Sequence, residues 1–525
     1  MRVSQPTMSE PAPPQRPRIS PIVRNVLSNW SGYFFSIVIT FFLSPFVVRH
    51  LGNSAYGVWV VIVSLTGYLG LLDLGVRGAV TRYVAKFHTQ ADYEESSRIA
   101  SSALGIFATG GIVAIVVSIG LSLFALDSFR IPEVYRLPAR IVLPLMGLTV
   151  AVTLVGGVFG GILAGLQRFD VMNAIQVASS GVRALVIVVA LRSGKGIITL
   201  ACIQLAFSLA AGLANAWTSL RLFPQLRLRV EYLGRKYLSL IFSFSLYSFL
   251  LHVSAYVALY TDAVVIGIFL PITFVTFFSI AGNLVNYSRD LISGISGTMT
   301  PLASKLEAEG KESELQQVML NVSRYASAVM MPIALTFMLR GRTFIGLWMG
   351  PEFATLSGRL LWILALSTMF TASWQVGGAV MFGINKHKGL VPASLVVALA
   401  NLAISVTLVQ RIGVEGVAWG TTVPDLVLCL AFWPLYVRRT LKISPRTYAI
   451  STWARPLLSM VPFALITYVI ERWWPAPKLL WFFLQVATAL PLTLVGFWFV
   501  CVTPSQRDAY SQQFLERLGK AFGRT

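Results

Sequence analysis

About fourteen apolar stretches of roughly 20 residues constrain this chain more than any other feature of its sequence. Each stretch is long enough to cross about 30 Å of hydrocarbon as an α-helix. No segment shows the alternating ten-residue pattern of a membrane β-barrel. Of the 525 residues, 56% are hydrophobic and only 12% are charged, which excludes a row of soluble domains with a single anchor. We therefore predict an all-α integral membrane protein.

The predicted helices form two blocks of six and a final pair. Their approximate ranges are residues 26–48, 57–76, 100–124, 139–163, 173–192, 196–222, 240–267, 272–299, 322–344, 357–382, 390–409, 414–437, 453–471 and 479–502. The domains predicted from them are an N-terminal six-helix bundle (22–222), a cytoplasmic linker (223–239), a C-terminal six-helix bundle (240–437) and helices 13 and 14 (438–502). The polar, proline-rich residues 1–21 are expected to be disordered, and residues 503–525 to form a cytoplasmic tail.

Basic residues accumulate on one side of these helices. They precede the first helix, fill the linker before the seventh and follow the twelfth, as Arg16, Arg18, Arg24, Arg227, Arg229, Arg235, Arg438 and Arg439. By the positive-inside rule both termini are then cytoplasmic, in a multi-pass protein of the bacterial cytoplasmic (inner) membrane. The same rule accounts for the net charge of +21, so we expect no nucleic-acid partner.

The second block of six helices repeats the first at an offset of 219 residues. The matches include Thr81 on Thr300, Lys86 on Lys305, Pro132 on Pro351, Arg140 on Arg359 and Arg192 on Arg411. An even number of duplicated helices keeps the same orientation, so the halves are expected to be related by an axis along the membrane normal. This arrangement predicts a cleft between two bundles. The alternative is that the repeated helices merely pack, through glycines such as Gly156 and Gly160.

Three arginines lie deep in predicted helices, where an unpaired charge is costly. Arg183 has no acidic residue nearby in the sequence, and Arg289 has only the adjacent Asp290. Arg77 follows Asp73 by one helical turn, so this pair could also neutralise itself. The planar guanidinium suits phosphate groups particularly well. We therefore select Arg77, Arg183 and Arg289 as candidate binding residues for an anionic substrate in the cleft.

Asp262 and Asp425 are acids at similar depth. They are candidate sites for loading a coupling ion, H⁺ or Na⁺, although either could simply neutralise an arginine. His252 stands alone in an apolar helix, which is more typical of a hydrogen-bonded core residue than of a ligand. The sequence has no phosphate-binding glycine-lysine loop and no metal or cofactor signature. We therefore do not expect an enzyme.

Four segments resemble the polysaccharide flippases of the MOP superfamily, which also contains the lipid II flippase and the MATE drug exporters. They are LSNWSGYFFSIVITFFLSPFVVRHLGNSAYGVWV from Leu27, LGLLDLGVRGAVTRYVAKF from Leu69, GGILAGLQRFD from Gly160 and TDAVVIGIFL from Thr261. The resemblance implies two pseudo-symmetric six-helix bundles plus two C-terminal helices, opening alternately to either side of the membrane. It also implies an isoprenoid-diphosphate-linked oligosaccharide as substrate, in contact with membrane lipids and with polysaccharide polymerase or export proteins.

Two other functions fit parts of the pattern. A cation-coupled MATE-type exporter of amphipathic small molecules would prefer acidic residues in its cavity. An integral-membrane glycosyltransferase or polymerase would need paired carboxylates and a large exposed loop, and no predicted connection exceeds about 25 residues. The sequence therefore favours a flippase for surface polysaccharide biosynthesis.

Overall fold

The computed structural model describes residues 21–502 and 507, and within them the chain is helical and contains no strand. Its helical segments are α1 (Pro21–Leu51), α2 (Asn53–Thr89), α3 (Tyr93–Ser128), α4 (Glu133–Gly165), α5 (Phe169–Arg192), α6 (Ile197–Leu222), α7 (Arg235–Phe269), α8 (Thr273–Ala308), α9 (Glu312–Trp348), α10 (Pro351–Gly383), α11 (His387–Ile412), α12 (Val414–Leu441), α13 (Pro445–Trp473) and α14 (Leu479–Val500). Each corresponds to one predicted apolar stretch.

The described helices confirm an all-helical, multi-pass membrane protein. Twelve of them are long and apolar enough to cross a membrane by length and composition, so the expected number of about fourteen spans stays a prediction. The linker predicted at 223–239 ends earlier than expected, because α7 already begins at Arg235. The predicted disordered N-terminus lies outside the described residues except for Pro21, and the predicted tail lies outside them except for Arg507.

Helix α2 is not continuous, and its interruption shapes the site described below. The α-helix over Asn53–Gly67 tightens into a 3₁₀ helix over Tyr68–Asp73, and a new α-helix begins at Val76. Leu74 and Gly75 between them have positive φ angles of 51° and 76°. Glycine adopts this left-handed conformation without steric cost, so the sequence Leu-Gly permits the break at this point.

The two blocks of six helices repeat in the structure as they do in the sequence. Helix α8 begins 220 residues after α2, α9 begins 219 after α3, and α10 begins 218 after α4. We call α1–α6 the N-half and α7–α12 the C-half.

A side-chain hydrogen bond is repeated along with the helices. In the N-half, Thr81 Oγ1 donates to the carbonyl of Gly161 over 3.3 Å. In the C-half, Thr300 Oγ1 donates to the carbonyl of Ala379 over 3.0 Å. Glycines one turn further on, Gly165 and Gly383, let the same two helices approach closely in each half. The duplication therefore preserves individual contacts as well as topology.

Several contacts join the halves at one end of the helices, and α7 also packs against α2 and α3 elsewhere. Thr276 Oγ1 donates to the carbonyl of Asn53 over 2.7 Å, and the amide of Arg130 donates to the carbonyl of Gly267 over 3.1 Å. These residues lie in or beside the loops that follow α1, α3 and α7, which share one side of the protein. The positive-inside prediction assigns that side to the exterior.

Helices α13 and α14 pack against the C-half through a buried charge. Arg340 of α9 is only 1% exposed and lies 2.7 Å from the carboxylate of Glu471 in α13. Its Nη2 also donates to Gln485 Oε1 of α14 over 2.6 Å. A buried arginine needs such partners because its desolvation is expensive. The final helix pair is thus tied to α9 by polar contacts as well as by apolar packing.

Replacing Gly383 by alanine is expected to destabilise the C-half. An added Cβ would lie 2.5 Å from the carbonyl oxygen of Thr300 and 2.8 Å from Ala303 Cβ, so α8 and α10 would have to separate. The melting temperature in detergent should fall by several degrees. Gly378→Ala is the matched control on the same helix, because nothing lies within 4 Å of its added Cβ. Equal melting temperatures for the two variants would contradict this account.

Candidate functional site

A cavity of about 930 Å³ lies between the two halves. Its walls are residues 70–81 of α2, 249–258 of α7, 296–300 of α8, 374–382 of α10 and 390–398 of α11, with Leu428 of α12. On α2, α8, α10 and α11, these stretches run from the helix middle away from the loops where the halves touch. The cavity therefore extends toward the opposite end, which carries Arg82, Lys86 and Lys305 and is predicted to be cytoplasmic.

Arg77 and Asp73 both line this cavity. They form the ion pair that their spacing suggested, although the break in α2 lies between them, with Arg77 Nε 3.5 Å from Asp73 Oδ2. The arginine side chain nevertheless remains 47% exposed, so the guanidinium is accessible from the cavity. Gly157 of α4 leaves room for the Arg77 side chain, because a Cβ at this position would come within 2.7 Å of Arg77 Nη2. The break in α2 after Asp73 presents both charges on the cavity wall.

The C-half supplies polar and aromatic walls. His252 and Tyr256 of α7 and Trp374 and Gln375 of α10 line the cavity. Gln375 Nε2 donates to Ser293 Oγ of α8 over 2.6 Å, which fixes the amide. His252 is exposed here, so its expected role as a core residue is wrong. In the sequence His252 stands alone among apolar residues. Its position one helical turn before Tyr256 was the feature that could have indicated a shared helix face on the cavity.

Arg289 forms an ion pair with Asp425. Its Nη2 lies 2.9 Å from Asp425 Oδ2, and the two side chains are 33% and 19% exposed. The pair does not line the cavity between the halves. It lines two smaller cavities within the C-half, of about 300 and 490 Å³. The pair therefore agrees with the alternative in which an aspartate neutralises an arginine. Contrary to the prediction, Arg289 does not line the cavity between the halves.

Asp262 lies in the same interior of the C-half, buried to 6% exposure. Its Oδ2 accepts a hydrogen bond of 2.8 Å from Thr421 Oγ1, which itself accepts one of 2.9 Å from Asn401 Nδ2. Asp262 Oδ1 and Asn401 Oδ1 are buried and have no hydrogen-bond partner within the described part of the chain. These three side chains offer oxygen atoms to a small cation.

Arg183 lies apart from the other candidates, on α5 in the N-half. Its Nη1 donates to Gln204 Oε1 of α6 over 2.8 Å, and it does not line the cavity between the halves. A neutral amide satisfies part of its hydrogen-bonding capacity inside the bundle. Of the three candidate arginines, the structure thus brings only Arg77 to the cavity wall.

Within residues 21–502 and 507 there is no group of three or more His, Cys, Asp or Glu side chains that could hold a metal ion. The polar atoms of the site are instead arranged as two distinct sets. One faces the cavity with Arg77 as its cation, and the other is enclosed in the C-half with Asp262 as its acid.

Comparison with known proteins adds the family. The sequence model of a family described as "Polysaccharide biosynthesis protein" matches residues 22–307, more than half of the chain. The chain belongs to this family. A protein of Shigella flexneri named as an O-antigen transporter is 20% identical over 425 residues, which cover 79% of this chain and 98% of that protein.

Solved structures agree on the fold of this polysaccharide biosynthesis family member. The lipid II flippase MurJ, in an inward closed conformation, superposes with a TM-score of 0.71 at 14% identity over 90% of this chain and 98% of MurJ. An inward-facing multidrug resistance MATE transporter of the MOP superfamily gives 0.67 at 16% identity over 79% of this chain and 95% of that chain. The predicted MATE-like and lipid II flippase-like architecture is confirmed.

Neutralising one member of the Arg289–Asp425 pair is expected to cost more stability than neutralising both. Arg289→Gln or Asp425→Asn each leaves a charge without its partner in the C-half, whereas the double variant leaves none. Thermal unfolding of the three variants in detergent measures this as a double-mutant cycle. Losses that simply add in the double variant would contradict a coupled pair.

Proposed function

We propose that this protein is a flippase that moves an isoprenoid-diphosphate-linked oligosaccharide across the bacterial cytoplasmic membrane by alternating access, for surface polysaccharide biosynthesis. The observation that carries the proposal is Arg77, a half-exposed guanidinium in a cavity of about 930 Å³ between two pseudo-symmetric halves. Membership of the polysaccharide biosynthesis protein family supports the same substrate class.

The physical problem for such a substrate is its headgroup. A diphosphate cannot enter hydrocarbon without a large electrostatic penalty, and each sugar hydroxyl loses hydrogen bonds to water there. A water-accessible cavity with a fixed cation reduces both costs, while the isoprenoid tail can stay among the lipid chains. The cavity volume lies at the upper end of the range usual for ligand sites, which suits a headgroup with several sugar rings.

We propose that the substrate enters the cavity from the cytoplasm. The cavity extends toward the end with Arg82, Lys86 and Lys305, and contacts such as Thr276 to Asn53 join the halves at the opposite end. We propose that the halves rock about these contacts, so that closure at the basic end accompanies opening at the other. The proposal locates both termini in the cytoplasm.

Removing the cavity cation should abolish transport. In proteoliposomes, Arg77→Gln is expected to slow the flipping of a fluorescent undecaprenyl-diphosphate-linked sugar at least tenfold, because the diphosphate loses its counter-charge. The double variant Asp73→Asn with Arg77→Gln should be equally slow, which separates loss of the cation from exposure of an unpaired aspartate. Arg77→Lys should retain part of the rate.

Two arginines serve as controls for that experiment. Arg359→Gln alters an exposed ion pair with Glu415 outside the cavity, and Arg183→Gln removes the arginine that contacts Gln204 in the N-half. Both are expected to keep a rate close to that of the unmodified protein. Unchanged flipping in Arg77→Gln would refute the assignment of Arg77.

We further propose that Asp262, rather than Asp425, takes up the coupling cation. The Asp425 carboxylate faces Arg289, whereas Asp262 Oδ1 and Asn401 Oδ1 have no hydrogen-bond partner within the described residues. Protonation of Asp262, or binding of Na⁺ among these oxygens, would remove the penalty of a buried carboxylate. Energy from an ion gradient could then bias the C-half between its two states.

Asp262→Asn is expected to abolish stimulation of flipping by an imposed Na⁺ or pH gradient while leaving slow, gradient-independent flipping intact. The physical reason is that asparagine fits the same space and carries no charge to be compensated. Asp290→Asn is the control, since Asp290 is a neighbouring acid that does not line the Asp262 cavity. Full gradient stimulation in Asp262→Asn would exclude this coupling site.

A drug-exporting function receives less support from the cavity. A cationic drug would require an acid facing it, and Asp73 is compensated by Arg77 on the same wall. Drug susceptibility of a deletion strain separates the two functions, because only a drug exporter would increase resistance.

A further inference from the structure

Two aromatic side chains on α7 line the cavity one after the other. His252 and Tyr256 lie one helical turn apart, their ring centroids are 6.4 Å from each other, and their planes differ by only 15°. Both residues line the cavity between the halves. Two nearly parallel aromatic rings are therefore available to whatever occupies that space.

Tyr256 is supported from behind. A Cβ on Gly70 of α2 would lie 3.0 Å from Tyr256 Cε2, so the tyrosine ring rests directly on the glycine backbone. One helical turn further along α7, Tyr260 meets the Tyr256 ring edge to face, with centroids 5.6 Å apart and planes at 67°. A ring held between two neighbours loses little further freedom when a ligand packs on it.

The cation of the site lies on the adjacent wall. Asp73 and Arg77 of α2 line the same cavity as Tyr256, and Gly70, which contacts the tyrosine ring, belongs to the same helix as both charges. One cavity thus combines a guanidinium suited to a diphosphate with two aromatic rings. In a diphosphate-linked glycan, the first sugar ring is attached directly to the diphosphate.

Sugar rings have chemistry that matches such aromatic rings. The axial C–H bonds make one face of a pyranose apolar, whereas its hydroxyl groups project around the edge. The apolar face packs on the π-system of an aromatic ring, and the edge requires polar partners. Gln375, Thr300 and Ser394 are polar side chains that line the same cavity.

We propose that His252 and Tyr256 form a stacking platform for the sugar ring nearest the diphosphate, so that the cavity recognises the glycan as well as the phosphate. This inference rests on the proposed flippase function and adds a sugar subsite to it. Stacking recognises ring shape rather than a particular hydroxyl pattern, so the platform would accept several pyranoses. The lipid carrier without sugar would bind less tightly.

Tyr260 provides a matched structural control. It lies one turn beyond Tyr256 on the same helix and packs on another glycine of α2, since a Cβ on Gly67 would overlap the Tyr260 ring. It does not line the cavity. Replacing Tyr260 should therefore disturb packing between α7 and α2 in the same way, without removing a surface that the sugar can reach.

The test compares binding of two probes to the full-length protein in nanodiscs. The probes are undecaprenyl diphosphate and undecaprenyl-diphosphate-linked N-acetylglucosamine. For the unmodified protein, the sugar-bearing probe should bind about 3- to 10-fold more tightly, as expected for aromatic stacking. Tyr256→Leu and His252→Leu should reduce that ratio to about one.

Conservative and control variants decide between recognition and packing. Tyr256→Phe and His252→Phe keep a ring and should keep the ratio, as should Tyr260→Leu. A ratio of one in the unmodified protein, or an equal fall in Tyr260→Leu, would overturn the platform. Arg77→Gln should weaken binding of both probes without changing their ratio. Failure of the unmodified protein to bind either probe would overturn the proposed function itself.

Discussion

A charge in the hydrocarbon region has to be satisfied within the protein, and this requirement organises the site. The three deep arginines meet it differently. Arg77 is compensated by Asp73 on its own helix and remains half exposed, Arg183 is hydrogen-bonded to a neutral glutamine, and Arg289 is paired with Asp425. In a tight ion pair the hydrogen-bond donors of the arginine are already engaged, whereas a loose pair beside a cavity leaves the guanidinium available to a ligand. The distinction between a structural and a functional arginine thus depends on the partner, since all three lie within predicted membrane-spanning helices.

The two halves repeat their packing but not the charged contacts inside the helix bundles. The bonds from Thr81 to Gly161 and from Thr300 to Ala379 occupy equivalent places. In contrast, the polar contact between the fifth and sixth helices is Arg183 to Gln204 in the N-half and Asn401 to Thr421 in the C-half, at offsets of 218 and 217 residues. Only the C-half adds an acid, Asp262, to this contact. Duplication therefore conserved the backbone geometry, and the charged chemistry is different in each copy.

The sequence was sufficient to predict the helices, the repeat and which charges lie within apolar segments. Hydropathy and a constant offset between matching residues can be read directly along the chain. It could not select partners for those charges. Arg289 and Asp425 are 136 residues apart, and their contact depends on how α8 meets α12. His252 illustrates the same limit, because an apolar helix surrounding a histidine gives no indication of which face borders a cavity. The pair of Asp73 and Arg77 was suggested by their spacing of four residues, whereas the break in α2 at Leu74 and Gly75 between them was not predicted.

Neighbouring cavities with shared wall residues connect the buried Asp262 with the space between the halves. Trp374, Gln375 and Leu428 line both the large cavity and a smaller one that contains Arg289 and Asp425. That pair in turn also lines the cavity around Asp262. Ala255, Ala258 and Val397 line both the Asp262 cavity and the large one. A change of charge at Asp262 acts on the Arg289–Asp425 pair, which lines the same small cavity. The pair also bridges α8 and α12, two helices of the C-half. In the proposed mechanism, ion uptake would therefore alter the packing of these helices and, with it, the walls of the large cavity.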